Sequence, residues 1–187
     1  LLGFGMIIAG TSSGYPDIKI ISSTQNTLIF EWYPENIKIG SQIIESQEYS
    51  TLSFLFGQTL SETGAANIPW RAIMLGIPAS GIQSVQILDI KSKTYTDINI
   101  APILRPYKDK KKITNYAYDP DELKYNQSSL QSQKIYRLQN LDKFRDFNVQ
   151  QLMITAFSYN SHNRSLTIHS RIRIQVNFAK SSTSGTF

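Results

Sequence analysis

Five cationic side chains, Arg105, Lys108, Lys110, Lys111 and Lys112, crowd one short stretch of the chain. The chemistry open to them is electrostatic. An ammonium or guanidinium buried against a partner's carboxylate makes a charge-assisted contact worth about 1.5–3 kcal/mol. Without such a partner the same run is a solvated loop, because lysines this close repel one another when confined. Covalent and metal chemistry are poorly supplied. The absence of cysteine excludes disulfides, thiolate metal sites and a cysteine nucleophile within these residues. His162 and His169, the two histidines, would have to build any zinc site or Ser-His-Asp relay from that pair alone. His162 falls in a predicted turn and His169 on the predicted wet face of the last strand, so both are expected to be ordinary surface residues. Asp119, Asp121 and Glu122 miss the alternating ligand spacing of a calcium loop, and helix capping accounts for them. No catalytic residue, cofactor or metal is expected.

A loop acts on a partner only when something rigid presents it, and the surrounding sequence predicts a β scaffold. The chain has 187 residues, 41% of them hydrophobic and 18% charged, enough apolar material for one core and too much for disorder. Its net charge of +5 is spread along the chain and does not indicate nucleic acid. Period-2 alternation predicts a hairpin of strands 18–21 and 27–33 around a polar 22–26 turn, with Leu28, Phe30 and Trp32 on one face. Further strands are expected at 51–56, 71–77, 85–90 and 95–100, separated by Gly, Pro, Ser and Lys clusters. Near the C-terminus Leu166, Ile168, Ile172, Ile174, Val176 and Phe178 line one face of a strand, interrupted only by Ser170. Thr167, His169, Arg171, Arg173, Gln175 and Asn177 line its wet face. This strand is expected to pair antiparallel with the run 149–159 through a turn at 160–163. Arg171 and Arg173 are expected to be solvated, and Trp32 and Trp70 to be core or hairpin-flank aromatics. Fold class is therefore all-β, an antiparallel sandwich with one long basic loop and at most one short helix.

That loop is the excursion from Pro102 to about Gln133, polar and basic, in which Asp119-Pro120-Asp121-Glu122 has the signature of a helix start. Three units are expected. Residues 1–14 open with an uncharged apolar run, 1–10, too short to span a bilayer and of the length of a secretory h-region, so they are assigned as a truncated signal peptide. The alternative is a first buried strand holding Phe4, Met6 and Ile8. Residues 15–180 form the β domain, and 181–187, rich in Ser, Thr and Gly, a linker toward a downstream domain.

Several stretches resemble a known family. Gly64-Ala65-Ala66-Asn67-Ile68-Pro69 followed by Arg71-Ala72-Ile73-Met74-Leu75-Gly76-Ile77-Pro78 is similar to a Gly-rich, Pro-ending segment and hydrophobic strand of the gingipain propeptide family. Ile98-Asn99-Ile100-Ala101-Pro102 resembles that family's strand ending in Ala-Pro. Phe157-Ser158-Tyr159-Asn160, then Arg164-Ser165-Leu166-Thr167-Ile168 and the strand to Phe178, is similar to its closing hairpin. Ala66 and Ser161 stand where the family often has Pro. The resemblance covers roughly residues 17–180 and implies an N-terminal propeptide, itself not an enzyme, that keeps a downstream cysteine peptidase of the same precursor latent and assists its folding.

The resemblance further implies an inhibitory loop after the Ala-Pro strand, with a basic residue aimed at the acidic specificity pocket of a peptidase that cleaves after Arg or Lys. Here Arg105, Lys108, Lys110, Lys111 and Lys112 occupy that place. Against a sortase of the type IX secretion system, which shares the peptidase fold, no such pocket is required and the lysines lose this role. An exported location, in the periplasm, at the cell surface or outside the cell, goes with the same resemblance, and neither nucleic acid nor a stable membrane span is expected. Two alternatives compete: a cell-surface carbohydrate-binding or adhesion sandwich using Trp70 and Tyr118, and an attached accessory domain that inhibits nothing.

Overall fold

The computed structural model describes residues 6–7, 15–59, 63–78, 81–108, 114–117, 125, 134–140 and 148–179. In chain order their strands are β1 (Met6–Ile7), β2 (Ile18–Ser23), β3 (Thr27–Trp32), β4 (Lys38–Ile44), β5 (Gln47–Ser53), β6 (Gln58–Thr59) and β7 (Pro69–Ile77). There follow β8 (Ile82–Tyr95), β9 (Arg105–Lys108), β10 (Thr114–Ala117), β11 (Tyr136–Asn140), β12 (Asn148–Ile154), β13 (Phe157–Asn160) and β14 (Ser165–Phe178). One sheet has the order β1-β7-β12-β11, with β6 also on β7; the other has β13-β14-β3-β2, with β8 along the far edge of β14. Among the described strands all pairings are antiparallel except that of β1, which lies parallel to β7 through Met6 and Met74, Ile7 and Leu75; an isolated bridge between Ser50 and Ile100 is also parallel. Among the described residues no helix is long and apolar enough to cross a membrane. The start of the short helix predicted from Asp119 lies outside the described residues; Tyr125, further along the same stretch, is described and is helical.

Alternation builds the core where the sequence predicts it. Leu28, Phe30 and Trp32 of β3 and Leu166, Ile172, Ile174, Val176 and Phe178 of β14 face Ile73 and Leu75 of β7 and Leu152 and Ile154 of β12, all in one buried cluster. Two sheets closing on one apolar layer make a sandwich. Phe54 fills the layer between Trp32 and Phe157, with ring centroids 5.5 and 6.0 Å away.

Four sequence expectations are corrected. The run 149–159 is two strands in different sheets: β12 pairs with β7, and only β13 pairs with β14. The change of sheet falls at Thr155, fully buried, whose hydroxyl donates to the Pro69 carbonyl at 2.8 Å and accepts the Phe157 amide at 3.2 Å. The strand expected at 85–90 is longer, β8 running through Lys91-Ser92-Lys93 to Tyr95, and the one expected at 95–100 is no strand: only Tyr95 belongs to β8, and Ile100 makes an isolated bridge to Ser50. Lysines punctuate the interior of a sheet but suit an exposed edge, where they guard against pairing with other chains. Of the strand expected at 51–56 only 51–53 are extended, as the end of β5, the second half of a hairpin, β4–β5, whose two-residue turn Glu45-Ser46 has φ of 49° and 67°. Finally, His169 is 5% exposed and not on a wet face. The register between β14 and β8 shifts between His169 and Arg171, leaving Ser170 as the bulged residue that interrupts the apolar face.

Candidate functional site

The basic run is carried on a hairpin of its own. Arg105 and Lys108 are the first and last residues of β9, which pairs with β10 from Lys108 opposite Thr114 to Arg105 opposite Ala117. Among the described residues neither strand joins either main sheet. The connection between them reads Asp109-Lys110-Lys111-Lys112-Ile113; Lys110, Lys111 and Lys112 lie outside the described residues, and of the side chains of Arg105 and Lys108 nothing is described.

What the structure does describe in detail is the root on which this hairpin stands. Residues 98–103 are extended and bonded on both sides. Toward β5, Ser50 donates its amide to the Asn99 carbonyl at 2.6 Å and accepts the Ala101 amide at 2.8 Å. Toward 64–67, the Asn67 amide donates to Ala101, the Ile103 amide to Ala65 and the Gly64 amide to Ile103, at 2.8–2.9 Å. The Ile98 amide donates to the Arg164 carbonyl at 3.0 Å, and the Tyr159 hydroxyl to the Ile98 carbonyl at 3.2 Å. Pro102 has no amide to leave unpaired, which suits a position where the chain quits a bonded seam.

Small residues allow this approach: Ala65, Ala66 and Ala101 are 5% exposed or less. Gly64, with φ of 84°, takes the left-handed turn that enters the seam, a conformation glycine adopts without a Cβ clash. Beneath it Ile44, Tyr49 and Ala101 form a second small cluster with Leu104, so the β4–β5 hairpin braces the root from below. The three stretches that carry the family resemblance, 64–69, 98–102 and 157–168, thus meet at one place.

Other candidates go elsewhere. His162 is exposed in the 161–164 turn, as expected. Trp32 and Trp70 are buried, also as expected. Trp70 is 3% exposed with the Arg137 guanidinium 4.7 Å from its ring centroid, so it cannot serve as an exposed sugar platform; Tyr118 lies outside the described residues. Arg171 and Arg173 are not simply solvated. Glu31, opposite Arg173 in the β3–β14 register, accepts two hydrogen bonds from its guanidinium at 3.0 and 2.7 Å, and Tyr33 donates to the same carboxylate at 2.6 Å. Arg171 pairs with Asp89 and lies 3.6 Å from Glu31. Tyr33 first, and Arg173 next, hold the Glu31 carboxyl below the usual carboxylate range. Tyr159, by contrast, is buried in the core.

The burial of His169 gives a pH prediction. Ser158 Oγ lies 2.8 Å from Nε2, while Nδ1 is buried without a partner. An imidazolium would have to bury a second N–H there, and desolvation accordingly lowers the His169 pKa below its ordinary 6.5. A folded-state pKa below the unfolded one favours the fold above the unfolded value and withdraws that stability as pH falls through the folded value. Urea midpoints are therefore expected to drop as pH is lowered from 7 toward 5, and His169→Gln to flatten that drop. The Glu31 contribution is lost only at lower pH, below the ordinary carboxylate range, which separates the two. An equal slope in His169→Gln and wild type would contradict the assignment.

A family model described as Propeptide_C25 matches residues 9–186. No curated protein matches the chain. Among solved structures, the chain is similar to one described as a complex of Porphyromonas gingivalis RgpB pro- and mature domains. The TM-score is 0.70 at 20% identity, covering 92% of this chain and 89% of that one. It is similar also to a structure described as giving insight into the zymogenic latency of gingipain K from Porphyromonas gingivalis. There the TM-score is 0.67 at 13% identity, covering 90% and 96%.

Proposed function

The chain belongs to the gingipain-type propeptide family, and on that premise we propose that it keeps the cysteine peptidase of its own precursor latent by laying the β9–β10 hairpin across the active-site cleft. It contributes no catalytic group; its work is occlusion. The observation that supports this reading is the hairpin itself, a two-stranded arm outside both sheets whose connection holds Lys110, Lys111 and Lys112, standing on a seam hydrogen-bonded from Ile98 to Ile103. An arm whose base is hydrogen-bonded before docking loses less freedom on docking, so more of the contact energy appears as affinity. The cationic connection meets an acidic specificity pocket, and the arm excludes substrate while the sandwich stays on the rim. The two similar structures, a pro- and mature-domain complex and a latent zymogen, are of the kind this reading requires. Assistance in folding the peptidase is part of the same proposal.

Export, by type IX secretion to the cell surface or beyond, also belongs to it. The uncharged apolar run 1–10 supports that part. The specific test is replacement of Lys110, Lys111 and Lys112 together by Ala or Glu. The constant for inhibition of the precursor's peptidase is expected to rise tenfold or more, about 1.4 kcal/mol. An unchanged constant would refute the role of the lysines as the plug.

A further inference from the structure

The excursion that bears the basic hairpin leaves the sandwich after Ile103, and Tyr125 brings it back to the same seam. Tyr125 donates its hydroxyl to the Ile100 carbonyl at 2.6 Å. Its oxygen is 3.5 Å from that of Tyr159, whose hydroxyl bonds Ile98, and the two rings meet edge to face with centroids 6.3 Å apart at 81°. Tyr159 is 2% exposed and Ile100 fully buried, while Tyr125 is half-buried against the main core. We propose that Tyr125 and Tyr159 form a clasp joining both feet of the excursion, and that Tyr125 is thereby a positioning residue for the inhibitory hairpin. The inference rests on the reading of β9–β10 as the inhibitory arm.

The physical case is one of closure. Fixed only at Ile103, the arm can swing about that foot. A bond back to Ile100 from Tyr125, 25 positions further along the chain, closes the intervening loop, and the entropy of closing it is spent in folding before the peptidase arrives. A phenol suits the task because its ring packs as apolar surface and its rigid reach ends in a single donor. Placing the two hydroxyls on the carbonyls of Ile98 and Ile100, two positions apart, fixes both the height and the tilt of the seam, while 50 and 64–67 hold its two edges.

The test uses the full chain carrying Tyr125→Phe, which deletes one oxygen and keeps the ring. Inhibition of the precursor's peptidase is expected to weaken roughly fivefold to tenfold, with amide exchange in β9 and β10 accelerated and exchange in β7, β12 and β14 unchanged. A merely structural tyrosine would instead loosen the core strands. Combined with the triple lysine replacement, Tyr125→Phe should add less than its separate effect, because both act through one arm. Wild-type inhibition and wild-type exchange in Tyr125→Phe, alongside a weakened lysine variant, would overturn the clasp and leave the plug intact. Full inhibition by both variants would overturn the plug and the clasp together.

Discussion

Replacing Asp17 by Ala is expected to cost about 3–5 kcal/mol of folding stability, a large part of what a domain of this size has. Asp17 is 3% exposed, and it is the acceptor for two buried donors. The Trp32 indole donates to one carboxylate oxygen at 2.9 Å, and Arg71 approaches the other at 3.3 Å. Its backbone carbonyl also takes the Tyr33 amide at 2.8 Å. Arg71 itself is 5% exposed and lies between the rings of Tyr15 and Phe56, with centroids 4.8 and 4.3 Å from its guanidinium carbon.

The variant therefore strands a buried cation and a buried indole N–H in one step. The guanidinium has little to fall back on, since its Nε already lacks a partner. Asp17→Asn, which keeps an acceptor for Trp32 but not the charge, should fall between. Asp17→Ala with Arg71→Met should recover part of the loss, because removing both charges is cheaper than removing one. Urea unfolding measures all three. A loss below about 1 kcal/mol for Asp17→Ala would show the pair to be solvated, contrary to its burial.

How much of this was legible in the sequence depends on whether the signal is local. Strands β3, β7 and β14 announce themselves because their apolar residues recur every second position into a single core. β4 does not, because Ile39 and Ile43 alternate outward, 41% and 74% exposed, and Glu45-Ser46 turns the chain left-handed without the Gly or Asn that marks such a turn. The break at Thr155 was hidden because Thr155 alone is polar in 152–157, and a chain passing between two sheets stays buried throughout. His169 was misplaced because strict alternation carries no record of the bulge at Ser170.

The candidate site divides the same way. The basic run is visible as composition, and its proximity to the Ala-Pro strand is visible by family resemblance. Its root is not, because Ile98, Ile100 and Ala101 are held by Ser50, Asn67, Tyr125, Tyr159 and Arg164, residues scattered over most of the chain. Asp17 and Arg71 lie 54 positions apart, and neither carries a local mark of burial.

The remaining large effect concerns the arm. β9 and β10 pair only with each other among the described residues, so exchanging the hairpin for a short Gly-Ser link leaves the sandwich core untouched. The energetics of docking concentrate in a few anchors, and an arm bearing them carries most of the affinity. Its removal is expected to weaken inhibition by on the order of a hundredfold, about 2.7 kcal/mol, with the unfolding midpoint of the remaining domain close to that of the parent. The deciding measurement is peptidase activity of the precursor's own catalytic domain titrated with the purified chain and with its hairpin-less variant. The parent chain is expected to silence the peptidase at micromolar concentration or below, and the variant to leave it active. Undiminished hydrolysis in micromolar excess of the parent chain, or equal silencing by both, would contradict it.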